Sequence, residues 1–294
     1  VDAPANNVGD KTILSKSVAR ALLAKVYAEK PVRDYTKVLQ YCNEVLADGF
    51  TLNPNYGDIY AMNSAGTDLK KRSTSESILE VNFFTGGGNW VTWMFGKDLL
   101  DPEANFSWAK WVTPSRDLIA AFDSENDNIR KNESIVYYKA GWSTYYPANE
   151  YPFMYKMRSS VHSMIKIRLA DILLLKAEAL ANLDGSANLE GAEAIVNQIR
   201  TRVSLPALAS SAKSSKASML DAILKERRLE LAFEGQRWFD LVRYGKVEEV
   251  MNDLNTRDSG RLPIRRAFTE TSYLFPIPST AIDLNTNLVQ NPGY

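Results

Sequence analysis

The stretch ILKERRLELAFEGQRWFDLVRYG, from Ile223 to Gly245, has the periodicity of one amphipathic helix. At about 100° per residue, Arg227 and Glu234 fall inside its apolar stripe. The apolar members of the stripe are Leu220, Ile223, Leu224, Leu231, Trp238, Leu241 and Val242. Because an unpaired buried charge is very costly, the spacing predicts buried pairs of Arg227 with Glu230 and of Glu234 with Arg237. The alternative is a solvated helix face that carries ordinary surface ion pairs.

Two further stretches lie on either side of this one. The first is IRLADILLLKAEAL, from Ile167 to Leu180, and the second is LFPIP, from Leu274 to Pro278, followed by QNPGY at the C-terminus. Together with ERRLELAFEG and RWFDL in the stretch above, they occur in the order typical of one protein family. The chain resembles the C-terminal part of the SusD/RagB family, and the resemblance is weakest between positions 57 and 160.

The resemblance implies a cell-surface lipoprotein of Bacteroidetes-type bacteria that binds an oligosaccharide or a similar nutrient. Such a protein delivers its ligand to a SusC-like, TonB-dependent transporter in the outer membrane, without catalysis and without a cofactor. It also implies a lipid anchor and further helical repeat ahead of Val1. We therefore expect this sequence to lack the anchor that holds the full-length protein at the outer membrane.

Composition limits the other classes of function. The chain has 294 residues, of which 45% are hydrophobic, and its 35 basic and 35 acidic residues leave no net charge. A balanced charge disfavours nucleic acid as a partner. His162 is the only histidine, so a histidine-based metal site or a Ser-His-Asp triad would have to be built around it. We therefore predict no metal site, and the resemblance implies no catalytic residues.

Helical patterns on both sides of the middle region predict a mainly α fold. One pair of helices is expected over 15–28 and 35–47, and a second pair over 167–183 and 189–202. Ala177 and Leu180 stand in the second pair where Ala24 and Tyr27 stand in the first. A small residue followed three positions later by a large one is typical of tetratricopeptide-like hairpins, in which two helices approach closely.

The chain is predicted to form one SusD/RagB-like domain over 1–294. Within it we expect a helical hairpin at 11–50, a variable loop-rich insertion at 57–160, helical repeats at 166–250 and an extended C-terminal segment at 251–294. The extended segment is predicted because prolines replace the helical periodicity there. Its expected apolar anchors are Leu274, Phe275, Ile277 and Ile282.

The insertion is rich in aromatic residues, and five of the six tryptophans lie between positions 90 and 142. Sugars present apolar ring faces surrounded by hydroxyl groups, so proteins bind them with flat aromatic side chains beside amides and charged groups. The predicted ligand-binding residues are Asn89, Trp90, Trp93, Trp142, Tyr145 and Tyr146. The alternative is that these rings only pack the inserted loops against the helices.

Two other functions stay open from the residues alone. A helical-repeat scaffold could bind a peptide, with the aromatic residues in its core. A glycoside hydrolase needs only two carboxylates about 5–10 Å apart, and acidic residues are too numerous for the sequence to exclude such a pair.

Overall fold

The computed structural model describes residues 3–4, 9–84, 88–89, 91, 113–139, 146–147, 149–258 and 266–294. Within these ranges the secondary structure is mainly helical, as the sequence predicts. The α-helices are α1 Lys16–Ala28, α2 Tyr35–Leu46, α3 Arg116–Glu125, α4 Asn128–Ser134, α5 Leu169–Asn182, α6 Ser186–Arg202, α7 Lys216–Glu230, α8 Arg237–Tyr244, α9 Val247–Asn252, α10 Leu254–Arg257 and α11 Ser279–Leu284. The strands are β1 Ser77–Val81, β2 Ile135–Tyr138, β3 Tyr151–Met154 and β4 Met164–Arg168. None of the described helices is long and apolar enough to cross a bilayer.

The first helical hairpin begins and ends where its capping residues predict. The side chain of Ser15 accepts a hydrogen bond from the amide of Val18 and starts α1. Asp34 caps α2 in the same way by accepting from the amide of Lys37. Beyond α2, Gly49 has a φ of 86°, a conformation that glycine adopts without strain. The predicted hairpin of α1 and α2 is confirmed.

The core is organised around α5. Leucine, alanine and other strong helix formers make up most of this helix, and nearly all of its faces are buried. It packs against α2, α6 and α7. Ala24 and Ala177 are both fully buried, one in each hairpin, which allows the neighbouring helices to approach closely.

The described strands form two short antiparallel ribbons of two strands each. In the first, β1 pairs with β4, and Val81 lies opposite Met164. In the second, β2 pairs with β3, and Ile135 lies opposite Met154. The last residue of β4, Arg168, is also the residue that precedes α5, so the strand runs directly into the central helix.

The expected single helix over 223–245 is wrong. α7 ends at Glu230, and a turn with positive φ at Phe233 (65°) and Gly235 (77°) separates it from α8. The carbonyl of Glu230 accepts from three side chains: Tyr56, Lys156 and Arg168. These donors satisfy a carbonyl that a continued helix would have used, so the helix can end at Glu230 without leaving this buried acceptor unpaired.

The chain divides into two compact units, residues 1–237 and 238–294. The second unit contains the predicted extended segment, which is only partly extended because it includes α11 and a short 3₁₀ turn at Glu270–Tyr273. Two of the expected apolar anchors are exposed, Leu274 and Phe275. Within the unit, the side chain of Gln290 bonds both the amide and the carbonyl of Ile277, so side-chain amides hold this segment together.

Ala177→Leu is expected to lower the free energy of unfolding by about 1–3 kcal/mol, because the added atoms have no space in the packed interface. Ala187→Leu is the matched control, since Ala187 is exposed on α6 and should change stability by less than about 0.5 kcal/mol. Urea unfolding of both variants measures the difference. Equal changes in the two variants would contradict close helix packing at Ala177.

Candidate functional site

Four of the predicted ligand-binding residues lie outside the described residues, namely Trp90, Trp93, Trp142 and Tyr145. Their role stays a prediction. The other two, Asn89 and Tyr146, are described, and neither presents the exposed surface that a ligand-binding role predicts.

Asn89 is buried, and its side-chain amide is occupied by contacts within the chain. The amide nitrogen donates to the carbonyl of His162 at 3.0 Å and to the sulfur of Met157 at 3.3 Å. The amide oxygen accepts from the backbone of Val91 at 2.9 Å. Asn89 therefore holds its own segment against the loop between β3 and β4.

Tyr146 is buried in a small aromatic cluster. Its hydroxyl donates to the carbonyl of Pro114 at 2.5 Å, and its ring meets the ring of Tyr151 edge to face. The guanidinium of Arg116 lies over the same ring. These contacts assign Tyr146 to the packing of this region, which is the alternative that the sequence left open for the aromatic residues.

A buried cluster of charges occupies the centre of the first unit, and Arg168 is its hub. The Arg168 side chain donates to the carboxylates of Glu76 (2.6 Å), Glu230 (2.6 Å) and Glu234 (2.7 and 2.8 Å). A fifth hydrogen bond, of 2.7 Å, goes to the carbonyl of Glu230. One guanidinium therefore connects the end of β4, the residue before β1 and the end of α7.

Further cations and carboxylates complete the cluster. Glu230 also binds Arg130 and Arg202, and Glu226 binds Arg130 and Arg200. The members are the cations Arg130, Lys156, Arg168, Arg200 and Arg202 and the carboxylates Glu76, Asp127, Glu226, Glu230 and Glu234. These ten described side chains carry five charges of each sign, and Arg200 also pairs with Glu125 at the edge of the cluster.

The structure corrects the partners that the sequence assigned to the two stripe charges. Arg227 is buried and donates to the carboxylate of Asp171 on α5 at 2.7 Å, where Lys25 of α1 also binds. Glu234 binds Lys156 and Arg168. Arg237 donates to the carbonyl of Leu224. Spacing along one helix pointed to neighbours three residues away and missed these partners, because other elements contribute them.

The charges shift one another's pKa values. Burial alone would raise the pKa of Glu230, but the nearby Arg202, Arg168 and Arg130 outweigh it and lower that pKa. The pKa of Glu234 is also lowered, by Arg168 and Lys156 against the effect of burial. Burial lowers the pKa of Lys156 to about 8. The cluster thus holds its central carboxylates ionised at neutral pH.

An open groove of about 690 Å³ lies on the first unit beside the end of β1. Phe84 forms part of it with a ring that is 62% exposed. The guanidinium of Arg72 lies 5.0 Å from the centre of that ring. Asn82 adds a side-chain amide whose nitrogen has no hydrogen-bond partner among the described residues. Within the described part of the chain, the groove thus combines an exposed aromatic side chain with an unbonded amide donor.

Four hydrogen bonds to described residues hold the side chain of Arg72 in place beside the groove. Its guanidinium donates to the hydroxyl of Ser163, to the carboxylate of Asp68 and to the carbonyls of Phe83 and Val161, all at 2.6–3.0 Å. Phe84 was not singled out from the sequence, although it lies just before the glycines at 86–88. Arg72 carries no sequence signal, since its partners lie up to 91 positions away.

The model of the SusD family matches residues 79–294, which is most of the chain. The chain belongs to the SusD family. The resemblance predicted from the sequence is confirmed. The matched part includes Arg168, in the motif at 167–180, and Glu230 and Glu234, in the motif ERRLELAFEG. These two motifs meet in the buried charge cluster.

Curated relatives come from Formosa agariphila. SusD-like protein P38 is 43% identical over 138 residues, covering 45% of this chain and 25% of the relative. SusD-like protein P25 is 24% identical over 291 residues, covering 84% of this chain and 53% of the relative. This SusD-family chain therefore spans between a quarter and about half of the length of these relatives.

Solved structures share the fold. A structure titled as a laminarin binding SusD-like protein matches with a TM-score of 0.71 and 27% identity, covering 99% of this chain and 66% of the other. Surface glycan-binding protein A from Bacteroides thetaiotaomicron, solved in complex with laminarihexaose, matches with a TM-score of 0.72 and 18% identity. The match covers 98% of this chain and 66% of the other. At that identity the second match supports the fold alone.

Arg168→Met is expected to lower the free energy of unfolding by about 3–5 kcal/mol, because it leaves buried carboxylates without their partner. Lys70→Met is the matched control, since Lys70 pairs with Asp58 at an exposed position and should cost no more than about 1 kcal/mol. Urea unfolding at neutral pH checks both variants. A loss in Arg168→Met no larger than in the control would contradict the role of Arg168 as hub.

Acid is expected to destabilise this SusD-family chain. The folded pKa values of Glu230 and Glu234 lie below the ordinary value of 4.5, so their contribution is present above that pH and is lost as the pH falls below it. Burial raises the pKa values of Asp127 and Glu226, so these two groups change the stability in the opposite direction as the pH falls. Urea midpoints measured between about pH 6 and about pH 3 should fall, and they should fall less in Glu230→Gln. Parallel pH curves would rule out Glu230 as a source of the acid sensitivity.

Proposed function

We propose that this chain is the ligand-binding part of a cell-surface protein that binds a glycan without catalysis. The observation that carries the proposal is the exposed ring of Phe84, which Arg72 holds in place beside the amide of Asn82. Its family and its similarity to a laminarin binding SusD-like protein support the same class of ligand.

The groove has the chemistry that a sugar needs. One face of a pyranose ring carries polarised C–H groups that pack on an aromatic ring, and its hydroxyl groups bond to amides and carboxylates at the edge. Phe84 supplies the ring, and Arg72 limits the motion of that ring, so little conformational entropy is lost when a sugar stacks on it. Asn82 supplies an amide in the same groove.

The predicted residues Trp90 and Trp93 follow Phe84 closely in sequence, and they remain part of the proposal. In the full-length protein, the bound glycan would pass to a SusC-like, TonB-dependent transporter, and a lipid anchor would hold the protein at the outer membrane. Family membership is the support for the transporter, the anchor and the cell-surface location.

Phe84→Ala is expected to weaken glycan binding by about 1–3 kcal/mol, taking the stacking of bases on aromatic rings as the nearest calibrated case. Because the ring is largely exposed, the melting temperature should change little. Isothermal titration with laminarihexaose, followed by a panel of other oligosaccharides, measures the affinity.

Phe275→Ala is the matched control, because it removes another exposed phenylalanine from the second unit and should leave binding unchanged. If Phe84→Ala binds as tightly as the wild-type chain, the groove is not the glycan site. If the wild-type chain binds no member of the panel, the proposed function itself is wrong.

A further inference from the structure

A second cavity, separate from the Phe84 groove, lies where β4 meets the turn that follows α7. Its volume is about 200 Å³. Apolar side chains form most of its wall, namely Val91, Met157, Met164, Ile165 and Phe233. This volume is below the roughly 300–1,000 Å³ of sites for drug-sized ligands, so the cavity matches a ligand of about one ring.

His162 lines this cavity and is 1% exposed. Burial lowers the pKa of His162 to about 4, so the ring is neutral at pH 7. Its Nδ1 lies 2.8 Å from the carbonyl of Ser163, and this contact requires the proton on Nδ1. Nε2 is then a buried acceptor near the backbone of Tyr60, and no hydrogen bond to it forms among the described residues. A buried acceptor without a partner is costly, so this atom is suited to a donor supplied by a ligand.

Among the described residues that line the cavity, one cation has no ion-pair partner. Lys156 is buried and bonds to the carboxylate of Glu234 at 2.6 Å and to the carbonyl of Glu230 at 2.8 Å. Lys166 also lines the cavity but is exposed, and among the described residues its ammonium has no partner. Since Glu234 is neutralised by Lys156 and Arg168, the excess charge of the lining is positive and belongs to Lys166.

We propose that this cavity binds a single acidic sugar unit, whose hydroxyl donates to Nε2 of His162 and whose carboxylate pairs with Lys166. The apolar wall contacts the face of the sugar ring. This site is independent of glycan binding at Phe84, because it uses different residues. The cavity selects for a negatively charged ligand, and the groove does not. The unit is either a free monosaccharide or the end of a longer chain.

Titration of the wild-type chain with D-glucuronate and with D-glucose at low salt tests the proposal. We expect glucuronate to bind at least tenfold more tightly than glucose, and Lys166→Gln to remove that preference. Lys16→Gln is the matched control, because it removes the same charge from an exposed position on α1 and should leave the preference unchanged. Absence of glucuronate binding to the wild-type chain, or an equal loss in the two variants, would overturn the proposal.

Two further variants test the cavity itself. His162→Leu removes the acceptor and should weaken glucuronate binding at least tenfold in protein that melts normally. Met164→Trp fills the cavity from a half-buried position on β4, and should abolish glucuronate binding even if His162→Leu does not fold. Unchanged binding in Met164→Trp would place the ligand elsewhere. Phe84→Ala should bind glucuronate normally, which separates this site from the groove.

A glucuronate-terminated disaccharide distinguishes the two sources of the ligand. If the disaccharide binds at least as tightly as free glucuronate, the cavity accepts the end of a longer chain. If only the monosaccharide binds, the cavity is closed around a free sugar.

Discussion

The buried guanidinium of Arg168 imposes the constraint on which the first unit depends. Burying a charge is costly unless it is paired and hydrogen-bonded, and Arg168 meets that condition through Glu76, Glu230 and Glu234. These acceptors come from residues far apart in sequence. The elements that carry them must therefore lie close together before the charge can be buried, so the cluster favours one arrangement of β4, β1 and the end of α7.

The same cluster shapes the surroundings of the second cavity. Lys156 and Arg168 neutralise Glu234. The same two side chains donate hydrogen bonds to the carbonyl of Glu230, where α7 ends. Because the helix stops there, the turn containing Phe233 and Gly235 can line the cavity. Had α7 continued as one helix, these residues would have lain on a regular helical surface.

One residue, Ser163, connects the two candidate sites. Ser163 accepts from Arg72, which supports Phe84, and donates to Asn82 in the groove. Its carbonyl lies 2.8 Å from the ring of His162, which lines the cavity. The groove and the cavity are therefore built on neighbouring residues of one loop, while each uses its own side chains for contact with a ligand.

Local patterns in the sequence were sufficient for α1, α2, α5 and α6 and for the family, since caps and periodicity act between residues a few positions apart. They also placed Arg227 and Glu234 among apolar residues. The partners of these charges, the break after Glu230 and the support of Phe84 by Arg72 were decided only by the tertiary structure. The physical reason is that a buried charge or a helix-ending carbonyl takes whichever donor or acceptor the fold brings near. Sequence spacing carries no information about partners such as Asp171 or Lys156, which lie 56 and 74 positions from the groups they bind.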